Sequence, residues 1–183
     1  MNSTPWTPSP ASASPTGAAT EAEYLETGLT RRVDPQAVVA SLDAALPHGL
    51  DVLAAVEATG PLADQLAVSA WRITVPGADV DALAEAVSAL WASDQAEVQR
   101  MTKAGLRSFD ARAAIIAMHV EGKEVEVVLA HGTPLVRPDD VVKALVAVGS
   151  GFVLGDPPIL TRLAQGRWVE GRVLGPFEGA PGA

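Results

Sequence analysis

Residues 114–129 read AIIAMHVEGKEVEVVL, and this stretch decides the fold class. Its first part is an apolar run that is typical of a buried strand. Glu121-Gly122 then predicts a turn, after which Glu124 and Glu126 alternate with valines. Because successive strand residues point to opposite faces of a sheet, the second part predicts a strand with one wet face and one dry face.

Helices are predicted on both sides of this stretch. Upstream, Asp79 or Asp81 is the expected N-cap of a helix whose apolar residues recur at helical spacing as far as Trp91. Downstream, RPDD at 137–140 opens a helix that ends at Gly149, with two aspartates in a first turn that favours negative charge. Periodicity also predicts a helix from Asp34-Pro35 and strands at 22–30, 50–58, 66–75, 98–102, 106–110 and 159–163.

Strands separated by single helices predict an α+β protein, with a mainly antiparallel sheet and helices on one face. We expect two ferredoxin-like halves. The expected domain spans 21–172, with subdivisions of about 21–95 and 96–172. Residues 1–20 hold four prolines and no charge, which predicts a disordered Pro/Ser/Thr/Ala-rich arm, and 173–183 predict a flexible tail.

Composition removes several classes of function. The chain has 183 residues, a formal charge of −9 and no cysteine. The missing cysteine excludes disulfides, zinc thiolate sites, a catalytic thiol and a thiolate-held iron–sulfur cluster. The acidic balance argues against a protein that coats nucleic acid by charge alone. The absence of a secretory signal and of a long apolar run predicts a cytoplasmic protein without membrane contact.

Catalytic and metal-binding patterns are weak. The sequence has no phosphate loop, no dinucleotide-binding glycine motif and no nucleophile elbow, so an enzyme is the less expected class. His48, His119 and His131 are scattered without the spacing of metal ligands, and no metal site is predicted.

One segment carries unusual positive charge. Residues 1–99 hold three basic and thirteen acidic residues, whereas 100–183 hold ten and nine. Four of the ten basic residues fall in RMTKAGLRSFDAR at 100–112, on a predicted hairpin. They would form a positive prong for RNA phosphates, with an aromatic ring available to stack on a base. The candidate RNA or partner contacts are Arg100, Lys103, Arg107, Phe109 and Arg112, with Arg137 and Arg162 as further members.

Two other interpretations stay open for this segment. The arginines could instead pair with the acidic half of the chain on a solvated hairpin. Asp110, flanked by Arg107 and Arg112, would be held ionised and is a weak catalytic candidate for an independent RNA-acting enzyme. A protein-interaction module without RNA contact is a third class, with the acidic half as its docking face.

Several blocks resemble one bacterial family. They are TEAEYLE at 20–26, LPHGLDVL at 46–53, TKAG through FDAR at 102–112, RPDDV at 137–141, and TR with QG between 161 and 166. In this order over 17–168 they are similar to the radical-SAM-linked family of unknown function, whose members are fused to or encoded beside a cobalamin-binding-type radical-SAM protein. No catalytic residue of that family carries over.

The resemblance implies a non-catalytic accessory or substrate-presenting role beside a separately encoded radical-SAM protein, connected with RNA modification or ribosome-related metabolism. That partner is expected to carry an iron–sulfur cluster and S-adenosylmethionine, with cobalamin as a further candidate. No cofactor is expected in this chain. The family's usual N-terminal strand and helix are replaced here by the proline-rich arm, so we expect a truncated N-terminus.

Overall fold

The structure is a computed structural model that describes residues 9–10, 13–102 and 105–178. The first part of the chain holds short elements, which in order are β1 (Ser9–Pro10), β2 (Ala19–Thr20), β3 (Leu25–Glu26), α1 (Pro35–Asp43) and α2 (Leu62–Gln65). The remaining elements are β4 (Val68–Thr74), α3 (Val80–Ala92), β5 (Glu97–Thr102), β6 (Gly105–Asp110), β7 (Ile115–Glu121), β8 (Glu124–Ala130), α4 (Pro138–Val148), β9 (Ile159–Val169) and β10 (Arg172–Leu174).

The main sheet has the strand order β10-β9-β4-β8-β7, and these neighbours are antiparallel. β2 runs parallel to β9 on its outer edge. β4, α3, β7, β8, α4 and β9 thus form one βαββαβ unit, which is the ferredoxin-like pattern. The hairpin β5–β6 is a separate two-stranded sheet inserted between α3 and β7. The predicted α+β class is confirmed.

The ferredoxin-like pattern occurs once, over residues 68–169, where two halves were expected. The strand predicted at 50–58 is wrong, since that backbone joins no sheet and Leu53 is 91% exposed. The strand predicted at 22–30 shrinks to Leu25–Glu26, which pairs with Ser9–Pro10. A strand is stable only when it pairs with other strands and packs on a core. The local alternation of polar and apolar residues shows neither of these contacts. The expected boundary between 95 and 96 falls between α3 and β5, inside the unit.

The core lies between one face of the main sheet and the helices α3 and α4. Val125, Val127 and Leu129 of β8 are at most 1% exposed, whereas Glu124 and Glu126 point to solvent, so the predicted dry and wet faces are confirmed. Each large apolar side chain buried in this way contributes roughly 1.5–3 kcal/mol. The rest of the core comes from β4, the two helices and the inserted hairpin, and includes Trp71, Ile73, Leu83, Leu90, Val98, Val141 and Leu145.

The predicted helix starts are confirmed. Asp79 caps α3, and its Oδ1 accepts a hydrogen bond from the Ala82 N–H at 2.9 Å. Asp34 caps α1 by accepting from the Gln36 N–H at 3.1 Å. Such caps satisfy backbone donors that have no partner inside the helix.

Both ends of the chain contribute more contacts than the sequence predicted. Val173 and Leu174 pair with β9, and the rings of Tyr24 and Phe177 meet edge to face at 5.5 Å, so this part of the expected tail is ordered, while residues 179–183 lie outside the described residues. Of the expected disordered arm, Ser9–Pro10 and Ala19–Thr20 pair with other strands, while residues 1–8 and 11–12 lie outside the described residues.

Within the ranges described, none of the helices is both long enough and apolar enough to cross a membrane.

Gly166 allows β10 to lie close against β9. A Cβ built on Gly166 would lie 1.7 Å from the carbonyl oxygen of Leu174. We therefore expect Gly166→Ala to lower the free energy of unfolding by about 1–3 kcal/mol, because the backbone must move to accept the methyl group. Urea denaturation measures this loss. Gly28→Ala is the control, since nothing lies within 4 Å of its Cβ position, and an equal effect of both changes would contradict the expectation.

Candidate functional site

A polar cavity of about 410 Å³ lies on the helix side of the main sheet, beside the N-terminus of α4. Its walls come from five separate parts of the chain, namely residues 13–16, Ser69 with Trp71, His131, residues 135–139 and Arg162. Its volume is within the range of small-ligand pockets. We refer to this cavity as the arginine pocket, because Arg137 and Arg162 both line it.

Arg162 forms the buried side of the arginine pocket. Its residue is 1% exposed, and its guanidinium forms an ion pair with Glu23. Its Nε donates to Thr20 Oγ1 at 3.4 Å, and its guanidinium carbon lies 5.4 Å from the ring centroid of Trp71. A buried charge is costly unless it is paired and hydrogen-bonded. The parallel pairing of β2 with β9 supplies these partners, because it sets Thr20 directly beside Arg162.

A hydrogen-bonded chain runs along the start of β4. His131 Nδ1 lies 2.6 Å from the carbonyl oxygen of Leu66, and Nε2 lies 3.1 Å from Ser69 Oγ. A carbonyl oxygen only accepts, so Nδ1 carries the proton, and Nε2 of the neutral ring accepts from the Ser69 hydroxyl. Trp71 Nε1 in turn donates to Ser69 Oγ at 2.8 Å.

The environment of His131 favours the neutral ring. Burial lowers the pKa of His131 below its ordinary value of 6.5, and the positive charge of Arg162 acts in the same direction. The hydrogen bond to the Leu66 carbonyl opposes them. The neutral ring is the form that can accept a proton from Ser69.

Further polar groups line the arginine pocket, among them the exposed carboxylate of Asp139. Arg137 is exposed at the N-cap of α4, and its guanidinium forms no ion pair within the part of the chain that the structure describes. The buried hydroxyl of Ser14 has no hydrogen-bond partner among those same residues. Buried polar groups in proteins are normally paired, so Ser14 marks a position where a ligand group or water would fit.

The inserted hairpin uses two of its predicted contact residues internally. Arg100 forms an ion pair with Asp140, which is 0% exposed, and donates to the Leu135 carbonyl at 3.0 Å. The guanidinium carbon of Arg100 also lies 4.8 Å from the ring centroid of Phe109. Phe109 is only 9% exposed, which corrects the expectation that its ring is available to stack on a base.

The far end of the hairpin segment is also structural. Arg112 donates to the Trp91 carbonyl at 3.1 and 3.2 Å and lies over the Trp91 ring at 4.6 Å, where it holds the end of α3. Asp110 Oδ1 accepts from the backbone N–H groups of Ala96 at 2.9 Å and Arg112 at 3.0 Å. The Asp110 carboxylate therefore closes a turn. Neither of its two hydrogen-bond partners lines the arginine pocket.

Of the basic residues in the expected positive prong, Arg100 and Arg112 therefore have internal partners. Arg107 is exposed on β6 opposite Arg100, and Lys103 lies outside the described residues. The structure brings Arg137 and Arg162 together at the arginine pocket, whereas Arg100, Arg107 and Arg112 are not among the residues that line it.

Sequence reasoning missed Ser69, Trp71 and Glu23, and it assigned His131 to a loop without a carboxylate close in sequence. Ser69 and Trp71 are two residues apart on a predicted strand, so strand periodicity set them on one face. Their partner His131 is 62 residues from Ser69, and no local pattern joins the two. Elsewhere in the described chain, no three His, Asp or Glu side chains are grouped so that they could hold a metal ion.

Residues 6–138 match the model of a family described as "Uncharacterized protein conserved in bacteria (DUF2344)". The chain belongs to this family. No curated protein matches the chain. No solved structure matches it either.

Asp140→Ala should destabilise the fold by about 3–5 kcal/mol, because it leaves the partly buried Arg100 guanidinium without its carboxylate. Asp139→Ala on the same helical turn is the matched control, since Asp139 is exposed. Urea denaturation of the two variants measures the difference. Equal stability of the two would show that the Arg100–Asp140 pair contributes little.

The lowered pKa of His131 predicts a pH dependence of stability. Below pH 6.5 the unfolded chain binds more protons at this residue than the folded chain, so the contribution of His131 is complete above 6.5 and is lost as the pH falls. The free energy of unfolding, measured between about pH 5 and 8, should decrease toward acid in the wild type and less so in His131→Asn. His119→Asn, at an exposed position, is the matched control.

Proposed function

We propose that this protein is an accessory, substrate-presenting partner that binds an anionic group of RNA in the arginine pocket. The radical chemistry would reside on a separate radical-SAM protein in the cytoplasm. This places the RNA contact at the pocket and not along the inserted hairpin, where Arg100 and Arg112 already have internal partners.

The observation that carries the proposal is the meeting of Arg137 and Arg162 in one cavity. Guanidinium groups bind phosphate oxygens with two parallel hydrogen bonds, which gives geometry as well as charge. The exposed Arg137 can reach a phosphate at the mouth of the pocket, while Arg162, which is paired with Glu23, lines its buried side. The unpartnered Ser14 hydroxyl offers a further donor. In a chain of net charge −9, such a local site lets an acidic protein bind an anion.

The radical-SAM partnership is supported by the sequence resemblance of the TKAG–FDAR and RPDDV blocks. The chain has no cysteine, so the thiolates of an iron–sulfur cluster would have to come from the partner. That partner would also supply S-adenosylmethionine and, as a further candidate, cobalamin.

One observation favours a second candidate, a protein-interaction module without RNA contact. Met101 and Leu106 face each other across the hairpin and are 71% and 59% exposed. Methionine is enriched at protein interfaces, and an exposed apolar pair on a projecting hairpin suits the docking of a protein partner.

The RNA contact is tested by charge reversal. A fluorescein-labelled RNA stem–loop is titrated with the wild type, Arg137→Glu, Arg107→Glu and Arg31→Glu, and fluorescence anisotropy is measured at several salt concentrations. Arg137→Glu should weaken binding about tenfold and reduce the salt slope by about 1, as expected for a lost phosphate contact. Arg31→Glu, with the same charge change at an exposed residue of the N-terminal part, is the control.

Three other results would count against this assignment. A loss confined to Arg107→Glu would return the contact to the hairpin. Equal losses in all three variants would indicate general electrostatics. No binding by the wild type would reject RNA as the ligand.

The partnership is tested by a tagged pull-down from the native cytoplasm, with and without ribonuclease. A radical-SAM protein that co-purifies despite ribonuclease supports direct docking, and Leu106→Glu should then weaken its recovery if the hairpin is the docking surface. A chain that is recovered alone under both conditions would contradict the partnership.

A further inference from the structure

Ser69 and His131 of the hydrogen-bonded chain Leu66–His131–Ser69 line the arginine pocket and are not needed to bind an anion. The geometry of this chain is that of an activated hydroxyl group. A serine hydroxyl lies 3.1 Å from a ring nitrogen that can accept its proton, and the opposite ring nitrogen is held at 2.6 Å by a carbonyl oxygen. A nucleophile, a base within hydrogen-bond reach and a third group that orients the base are the recurring parts of nucleophilic catalysis.

We propose that Ser69 and His131 form a nucleophile–base pair that accepts an acyl group from a small, negatively charged carboxylic ester in the arginine pocket. This activity goes beyond the accessory role and does not depend on RNA binding. The pocket selects for a negative charge through the exposed Arg137, and its volume of about 410 Å³ admits a small ester.

The reaction balances without any outside oxidant or metal. Ser69 Oγ forms a bond to the ester carbonyl carbon while its proton moves to His131 Nε2. The tetrahedral intermediate then breaks its bond to the leaving alkoxide oxygen, which takes the proton from Nε2 and departs as an alcohol. A water molecule next gives its proton to Nε2 and attacks the carbonyl carbon of the acyl-serine. The second tetrahedral intermediate breaks its bond to Ser69 Oγ, which takes the proton back from Nε2, and the products are a carboxylic acid and free Ser69.

Neighbouring groups fit the demands of these steps. The Leu66 carbonyl keeps Nδ1 protonated, so Nε2 faces Ser69 as an acceptor. Trp71 Nε1 donates to Ser69 Oγ at 2.8 Å and would stabilise negative charge that develops on that oxygen. The base is oriented here by a backbone carbonyl in place of the usual carboxylate.

The test uses two ester probes with the purified full-length chain. Uncharged 4-nitrophenyl acetate reports nucleophilic reactivity, and negatively charged acetylsalicylate reports selection by Arg137. Peptide mass spectrometry locates the acetyl group, and product release measures the rate. Wild-type protein should be acetylated at Ser69, and His131→Asn should react on the order of 10²-fold more slowly, which is the usual contribution of a general base.

Matched variants separate reactivity from folding. Ser88→Ala removes an exposed hydroxyl on α3 and should react like the wild type, whereas Ser69→Ala should lose the adduct. Arg137→Glu should slow acetylsalicylate more than 4-nitrophenyl acetate. The wild-type rate should also fall as acid protonates His131, which a purely structural hydrogen bond would not cause.

The result that overturns the proposal is acetylation of wild-type Ser69 no faster than that of Ser88. An adduct on Ser69 whose rate His131→Asn leaves unchanged would overturn it as well. If Ser69→Ala does not fold, the proposal is still tested by comparing Ser69 with Ser88 in the wild type and by comparing the wild type with His131→Asn. Because 4-nitrophenyl acetate needs neither RNA nor Arg137, a failed RNA titration with positive acetylation would reject only the RNA proposal.

Discussion

The guanidinium of Arg162 is the constraint on which the site depends. At 1% exposure it would cost several kcal/mol if it were unpaired, so the fold must bring it partners. One partner, Glu23, belongs to the N-terminal segment, and the parallel pairing of β2 with β9 holds that segment in place. The same segment supplies residues 13–16 to the wall of the pocket. The buried charge, the N-terminal segment and the cavity are therefore one structural unit.

Asp140 in α4 is a second buried charge, and its partner lies on the inserted hairpin. Its carboxylate pairs with Arg100 and accepts the backbone N–H of Arg137 at 3.0 Å, so it joins β5 to the start of α4. The arginines of the hairpin segment consequently have different roles. Arg100 and Arg112 stabilise the fold, while Arg107 remains exposed. The positive charge of the segment 100–112 is therefore partly explained by contacts inside the fold, because Arg100 and Arg112 both have internal partners.

The arginine pocket combines two kinds of chemistry that proteins often keep close together. Arginines attract and orient an anionic ligand, and a partly buried, neutral histidine can accept a proton from a neighbouring hydroxyl. Anion binding and proton transfer both depend on the partial exclusion of water from the pocket. This exclusion strengthens electrostatic interactions and lowers the pKa of His131. Membership of an uncharacterized bacterial family does not define a ligand, and the arginine pocket is the site at which we expect one to bind.

By itself the sequence determined the α+β class, the dry and wet faces of β8, the starts of all three long helices and the existence of the inserted hairpin. These features follow from alternation, helical spacing and capping residues, which act over a few neighbouring positions. The strand predicted at 50–58 failed for the same reason, because a strand also needs a partner backbone that no local pattern reports. Only the tertiary structure decided which charges are buried and which side chains meet. Ser69 and His131, or Arg162 and Glu23, come together through strand pairing across long sequence separations. The identity of the candidate site was therefore outside the reach of the sequence, although Arg137 and Arg162 were among the residues it singled out.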